Sequence, residues 1–155
     1  MKKVIAISVI AVLAMITSCS EQKYPDLGDG YSFDSDGKYT LAIVNSQNTI
    51  MVGSHVLEYA FDTIFVVVSQ RPWDDPSIPG LKEMTYKQRN EAFEKSTFRQ
   101  YWIINKKGKN EHIGIFGSGN DMRAKYSNVY GPFSKEEYLQ KRKELGVPKE
   151  LQLKE

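Results

Sequence analysis

The sequence predicts an α+β fold: a mostly antiparallel β-sheet of about six to seven strands with one or two packed helices. Segments rich in β-branched and aromatic residues follow one another closely, with short turns between them. Two later segments begin with the capping-box pattern that opens helices. No repeat of roughly 20–50 residues is visible, which argues against a propeller or a solenoid.

The strand pattern includes one predicted hairpin and one predicted central strand. Gly53-Ser54 separates two strand-like segments and has the Gly-first pattern of a type II′ turn. Residues 64–68 are apolar on both faces, which predicts a strand covered on both sides. The predicted strands are residues 39–44, 49–52, 55–61, 64–68, 100–105, 111–116 and 128–130.

The two predicted helices have clear start signals. Thr85 and Gln88 form a capping-box pattern that opens a helix ending near Ser96. The C-terminal helix Ser134–Leu145 has the same pattern at Ser134 and Glu137, and Gly146 and Pro148 end it. We expect three apolar side chains to pack this helix on the sheet: Tyr138, Leu139 and Leu145.

The N-terminus has the layout of a secretion signal. Lys2 and Lys3 precede an apolar run of about 13 residues, which is shorter than the roughly 20 that a membrane-spanning helix needs. Ile16-Thr17-Ser18-Cys19 resembles the bacterial lipobox, in which the cysteine receives lipid and becomes the N-terminus. A plain secretory signal followed by a chance cysteine is the alternative. The predicted organisation is a signal peptide at 1–18, a tether at 19–26 and a single α+β domain at 27–155.

Cysteine usage and charge restrict the function further. Cys19 is the only cysteine, so no intramolecular disulfide can form, and a lipidated Cys19 cannot act as a nucleophile. The formal net charge of +2 equals the charge of Lys2 and Lys3, which leave with the signal. A balanced mature chain has no general attraction to nucleic acid. We therefore expect a membrane partner through the lipid on Cys19, and no nucleic-acid partner.

Three segments carry a family resemblance: residues 26–31, residues 101–106, and residues 130–138 with the following 141–146. Through them the sequence resembles a family of short, functionally uncharacterised lipoproteins of Bacteroides and its relatives. The resemblance implies an envelope location, on the periplasmic face or the outer surface of the outer membrane, and the family has no assigned catalytic residues to carry over. The stretch 106–128 is longer than in relatives and is predicted to be an expanded hairpin.

A proline-rich loop contains the most suggestive surface residues. Arg71-Pro72-Trp73-Asp74-Asp75-Pro76 places a tryptophan beside a cation and two carboxylates. Tryptophan and arginine are enriched where proteins bind partners, and a sugar can also stack on the ring while carboxylates accept its hydroxyls. We predict partner binding at Arg71, Trp73, Asp74 and Asp75. The alternative is that Trp73 folds back to anchor the loop on the core.

Thr63 is a candidate modification site. Asp62-Thr63-Ile64 resembles the three-residue O-glycosylation motif of Bacteroidetes envelope proteins. The match covers only these three residues, so O-glycosylation of Thr63 is a prediction that rests on a short motif.

Other chemical motifs favour ordinary structure. The acidic stretch 26–37 lacks the spacing and final glutamate of a calcium loop, and Asp36-Gly37 suits a hairpin turn. Residues 114–119 contain three glycines but no following helix start, so a hairpin tip is favoured over a phosphate cradle. His55 and His112 are interpreted as surface histidines. We predict no metal site and no cofactor.

These observations favour a non-enzymatic, membrane-anchored envelope lipoprotein that binds a partner, most simply a protein. Two alternatives stay open. One is a glycan-binding accessory lipoprotein that uses Trp73. The other is an unrecognised hydrolase, which would need a pocket that unites a histidine with carboxylates.

Overall fold

The predicted α+β class and its mostly antiparallel sheet are confirmed. The computed structural model describes residues 24–35, 41–53, 55–116 and 123–154. Every strand pairing in this part of the chain is antiparallel. The elements are β1 (Asp26–Gly28), β2 (Tyr31–Asp34), β3 (Ala42–Asn45), β4 (Ile50–Val52), β5 (Val56–Phe61), β6 (Phe65–Gln70), α1 (Tyr86–Lys95), β7 (Gln100–Asn105), β8 (His112–Phe116), β9 (Arg123–Tyr126), β10 (Val129–Phe133) and α2 (Lys135–Leu145).

The strands form two four-stranded sheets and a separate hairpin. The first sheet has the order β1-β2-β3-β4 and the second has the order β10-β7-β6-β5. β8 and β9 follow β7 along the chain and pair with each other. This hairpin lies inside the stretch 106–128, which was predicted to contain one. The described residues contain more strands than the six to seven predicted. Three strands go beyond the predicted list: β1, β2 and β9. β2 lies beside the predicted Asp36-Gly37 turn, whereas β1 and β9 were missed because they are short and because glycine, lysine and arginine weaken their strand pattern.

β6 is the central strand that its apolar sequence predicts. It lies between β5 and β7, and all six of its residues are buried. Alternate side chains point to opposite faces of a strand. Val66 and Val68 therefore join the core shared with the first sheet, whereas Phe65 and Val67 face the core under α2. Covering on both faces explains why this strand has no polar face.

The hairpin predicted at Gly53-Ser54 is wrong. β4 pairs with β3 in the first sheet, whereas β5 pairs with β6 in the second, so the chain passes between sheets here. Gly53 does not have the positive φ that a type II′ turn needs at its first position. A Cβ on Gly53 would instead lie 2.5 Å from the Arg123 guanidinium and 2.6 Å from Ile50. The glycine therefore allows a close approach of side chains, and Ser54 lies outside the described residues.

Both helices begin where the sequence predicts. Thr85 and Gln88 form the capping box of α1, and Ser134 and Glu137 form that of α2. Each box satisfies backbone N–H groups that have no partner inside the helix. α2 ends at Gly146, whose φ of 71° is left-handed.

One face of α2 packs on the second sheet. Tyr138 is buried and stacks on Tyr101 with ring centroids 5.0 Å apart, and Leu145 packs partly buried against the same cluster. The prediction that Leu139 packs there is wrong, since 48% of its surface is exposed. The buried Arg142 occupies this face instead, and its guanidinium donates to the Tyr138 hydroxyl (2.9 Å) and the Pro148 carbonyl (2.8 Å).

Candidate functional site

The proline-rich loop follows β6, and its tryptophan rests on two other rings. We call residues 71–76 the Pro-Trp loop. The Trp73 indole stacks on the His55 ring at 5.9 Å with an interplanar angle of 13°. It also contacts the Phe93 ring of α1, at 5.1 Å and 44°. Trp73 is half-buried, so one part of the ring anchors the loop while another part faces solvent.

His55 lies beneath the loop, which corrects its interpretation as a surface histidine. Only 7% of its surface is exposed, and its ring centroid is 4.2 Å from that of Phe93. Its φ of 63° is left-handed, a conformation that few residues other than glycine adopt. Its carbonyl accepts a hydrogen bond from the Arg71 N–H at 3.0 Å. His55 therefore supports the start of the Pro-Trp loop.

Phe93 is the residue that joins this cluster together, and sequence reasoning did not select it. It is the buried residue of α1. The Arg71 guanidinium lies 5.3 Å from its ring centroid and donates to its backbone carbonyl at 3.2 Å. The thin apolar stripe of α1 is the one signal that could have indicated Phe93, since a single buried ring holds this helix.

Asp75 fixes the loop from the inside, whereas Asp74 is exposed. Asp75 is 1% exposed, and its carboxylate accepts bonds from the Ser77 N–H (2.8 Å), the Ser77 hydroxyl (2.6 Å) and the Ser96 hydroxyl. Burial raises the pKa of the Asp75 carboxyl, but these hydrogen bonds and the nearby Arg71 charge outweigh it and hold the pKa below its usual value. Asp75 therefore positions the loop, and only Asp74 of this pair presents its side chain to solvent.

Thr63 lies exposed in the turn between β5 and β6. The Asp62 carboxylate accepts the backbone N–H groups of Ile64 and Phe65, each at 2.7 Å, which fixes the turn. Nothing in this geometry tests O-glycosylation, which stays a prediction. Three other predicted features lie outside the described residues: Cys19 with its signal, the Asp36-Gly37 turn, and Ser54. Of the hairpin tip predicted at residues 114–119, residues 117–119 also lie outside them, whereas residues 114–116 belong to β8.

The two histidines lie in different segments, since His55 precedes β5 and His112 begins β8. His112 is exposed at the start of β8, where its ring lies 6.0 Å from that of Tyr126. His55 lies under Trp73. Within residues 24–35, 41–53, 55–116 and 123–154, no three histidine, cysteine, aspartate or glutamate side chains converge to hold a metal ion. In the same ranges, no helix is long and apolar enough to cross a membrane.

A surface groove of about 420 Å³ lies next to the C-terminal end of α1. One wall is the connection from α1 to β7, and the other is the junction of β10 with α2. The two strands meet here at the pair Phe133 and Tyr101. Sequence reasoning did not predict this groove because its two walls are far apart along the chain. Its lining residues are Thr97, Phe98, Arg99, Gln100, Tyr101, Pro132, Phe133, Ser134 and Lys135.

The fold and the Pro-Trp loop together define an α+β protein with two antiparallel sheets and a half-exposed tryptophan, Trp73, that two other rings hold in place. The chain belongs to a family described as "Protein of unknown function (DUF3997)", which it matches over residues 29–155. No curated protein and no solved structure shows a significant match to it. The predicted membership of an uncharacterised family is thereby confirmed. The lipoprotein character and the link to Bacteroides stay predictions.

Proposed function

We propose that this protein is a lipid-anchored binding module of the bacterial cell envelope, which holds a protein partner at its Pro-Trp loop and performs no catalysis. The sequence supports the anchor: a basic start, a short apolar run, and Cys19 directly after two small residues. Each buried lipid methylene contributes about 0.8 kcal/mol, so two or three acyl chains would hold the protein firmly at the membrane.

The observation that carries the binding proposal is the half-exposed Trp73 ring, held in place by His55 and Phe93. A large side chain that is already fixed before binding loses little conformational entropy when a partner covers it. Residues that dominate protein interfaces are of this kind: tryptophan, tyrosine and arginine near the centre of a contact.

Charged groups beside the ring would give such a contact its orientation. Asp74 is exposed, whereas Arg71 is partly buried and held by the Phe93 carbonyl and ring. Loop residues positioned by a rigid scaffold are common binding sites. In this proposal Trp73 and Asp74 contact the partner, Arg71 contributes at the edge, and Asp75 keeps the loop in shape.

Crosslinking in intact cells, followed by mass spectrometry, tests the proposal. The wild-type protein should capture a reproducible envelope protein, and both Trp73→Ala and Asp74→Lys should lose it. Asp74→Lys is the sharper variant because the side chain is exposed and supports nothing beneath it. Tyr86→Ala is the matched control, since Tyr86 is an aromatic residue with 70% of its surface exposed on α1. Capture that persists in Asp74→Lys would refute this surface.

A glycan is the second candidate ligand, because the exposed part of the Trp73 ring is followed directly by the Asp74 carboxylate. Sugars stack apolar faces on aromatic rings while their hydroxyls donate to acids. Titration of the purified protein with soluble envelope oligosaccharides would distinguish the ligands. Saturable oligosaccharide binding that is lost in Asp74→Asn would favour the glycan. No oligosaccharide binding, together with capture of a protein partner, would favour the leading proposal.

A further inference from the structure

We propose that the turn between β5 and β6 contacts the surface of the lipid bilayer and orients the domain on it, a role that rests on the proposed lipid anchor. We call residues 61–64 the Phe-Ile turn. Its two apolar side chains are exposed, with 46% of the surface of Phe61 and 42% of that of Ile64 open to solvent. Exposed apolar groups that lie together mark contacts with a protein or a membrane. The point where the chain enters the domain favours the membrane.

The chain enters the domain beside this turn. β1 begins at Asp26, seven residues after Cys19, and a fully extended chain of that length spans at most about 25 Å. The Lys106 ammonium donates both to the Leu27 carbonyl of β1 and to the Asp62 carbonyl of the turn. One side chain therefore joins the turn to the strand that follows the tether. With lipid on Cys19, this part of the domain is held close to the bilayer.

The Phe-Ile turn is fixed before it meets a membrane. The Asp62 carboxylate accepts the N–H groups of Ile64 and Phe65, each at 2.7 Å. The Asp62 N–H donates to the Phe65 carbonyl at 3.0 Å, and the Lys106 N–H donates to the Ile64 carbonyl at 2.7 Å. Polar groups that already have partners lose less when they leave water. The turn can therefore enter the interface of a bilayer without breaking its own hydrogen bonds.

The charges around the turn make the contact apolar rather than electrostatic. The Lys107 ammonium pairs with the Asp29 carboxylate at 2.9 Å, and the Lys106 ammonium is held by two carbonyls. Acidic residues outnumber basic ones here, so no excess positive charge attracts anionic lipid. The partner that fits is the interface of a zwitterionic bilayer. The charged residues of β1 with its following turn, the Phe-Ile turn and the connection from β7 to β8 are Asp26, Asp29, Asp62, Lys106, Lys107, Lys109 and Glu111.

β6 separates the Phe-Ile turn from the Pro-Trp loop. β6 has six residues, of which Phe65 directly follows the turn and Gln70 directly precedes the loop. At roughly 3.3 Å per residue, the two ends of this strand lie about 17 Å apart. A bilayer contact at the turn therefore leaves Trp73 on the side away from the membrane, where the proposed partner has access to it.

Fluorescence quenching on vesicles tests the contact, with the anchor supplied chemically. Residues 19–155 contain every described strand and helix, and Cys19 is their only cysteine. A maleimide lipid in phosphatidylcholine vesicles therefore couples this mature chain at one position. Brominated acyl chains in the same vesicles quench an indole that reaches them, and the signal of the uncoupled wild-type tryptophans is subtracted.

The two positions compared are one on the turn and one on the separate hairpin. Phe61→Trp should be quenched at least about threefold more strongly than Ile115→Trp, because apolar side chains at a membrane contact enter the boundary between headgroups and acyl chains. Ile115 is the matched control, since 67% of its surface is exposed on β8. Ile64→Trp is an independent probe of the turn and should be quenched as Phe61→Trp is.

A second substitution in the Phe61→Trp chain makes the test specific. Ile64→Asp should abolish the quenching, because a charge replaces an apolar contact, whereas Ile115→Asp makes the same change on β8 and should leave it intact. Equal quenching at positions 61 and 115 would overturn the proposal. So would an absence of quenching in both Phe61→Trp and Ile64→Trp, or quenching that survives Ile64→Asp. A sugar on Thr63 of the native protein would also overturn it, since a glycan would hold the turn off the bilayer.

This contact and the native anchor can fail separately. The maleimide lipid replaces the native lipid, so the quenching is measured whether or not cells lipidate Cys19. Fractionation of Cys19→Ser in cells measures the native anchor. Release of Cys19→Ser from the membrane, together with an unquenched indole at position 61, would refute the contact alone. A Cys19→Ser variant that stays membrane-bound would refute the anchor instead.

Discussion

The buried carboxylate of Asp75 accepts a hydrogen bond from the hydroxyl of Ser96, the residue that ends α1. This contact joins two surfaces. On one side Asp75 organises the Pro-Trp loop, and on the other side Ser96 accepts the Phe98 N–H at the wall of the groove between Phe98 and Phe133. A single carboxylate therefore supports both the Pro-Trp loop and one wall of this groove.

Asp75→Asn is expected to destabilise the protein by about 1–3 kcal/mol at pH 7, because a buried carboxylate that accepts several hydrogen bonds loses its charge. The folded-state pKa of Asp75 lies below its usual value of 3.8, so its contribution is fully present above that value and is lost as the pH falls through the folded pKa. Urea unfolding at about pH 7 and about pH 3 measures the contribution of the Asp75 charge, because these two pH values lie on either side of the usual pKa of the carboxyl.

The control for Asp75 is the neighbouring Asp74→Asn, whose exposed side chain should leave the unfolding midpoint nearly unchanged. The stability difference between wild type and Asp75→Asn should shrink in the acidic sample. A difference that stays constant with pH would show that the charge of Asp75 does not stabilise the loop.

Lys106→Met is expected to destabilise the protein by about 1–3 kcal/mol, since one buried and one partly buried carbonyl lose a charged donor. The Lys106 ammonium donates to the carbonyls of Leu27 and Asp62 and lies 5.7 Å from the Phe61 ring centroid. It therefore ties β1 to the turn between β5 and β6. Thermal unfolding of Lys107→Met is the comparison, because that lysine is exposed, and an equal loss in both variants would contradict this role for Lys106.

Gly131→Ala is expected to cost more stability than Gly146→Ala, although both glycines have positive φ. A Cβ at Gly131 would lie 2.8 Å from the Tyr101 carbonyl oxygen and 2.8 Å from the Trp102 ring, whereas a Cβ at Gly146 meets open space. The Gly146 variant should lose about 1 kcal/mol from backbone strain alone. Denaturant midpoints of the two variants measure the difference, and equal losses would refute the close approach at β10.

Cys19→Ser tests the anchor. If lipid on Cys19 holds the protein, cell fractionation of this variant should move it from the membrane to the soluble fraction, because all the acyl chains attach to that one residue. Ser20→Ala, one residue further on, is the control and should stay with the membrane. A Cys19→Ser variant that remains membrane-bound would contradict lipid anchoring.

Much of the fold is predictable because its signals are local. The fully apolar β6 and the two capping boxes lie within a few residues of sequence. The passage between sheets at Gly53 is not local, since it depends on Arg123 and on the partners that β4 and β5 find elsewhere. A two-residue turn pattern contains none of that information.

The candidate site was likewise predictable only where its signals are local in the sequence. The composition of the Pro-Trp loop indicated Trp73 and its charged neighbours, but the assignment of roles needed tertiary contacts. Phe93 and His55 lie well apart from Trp73 in sequence, yet both rings pack against it. Asp74 and Asp75 are chemically identical, and burial alone separates the exposed carboxylate from the structural one.

Site-specific photocrosslinking in intact cells tests the central claim most directly. A photoreactive amino acid in place of Asp74 should form an adduct with one envelope protein, and the same group in place of Tyr86 should not. Trp73→Ala, in the same chain, should abolish the adduct at position 74. An adduct that forms equally from both positions, or that survives Trp73→Ala in folded protein, would contradict the Pro-Trp loop as the binding surface.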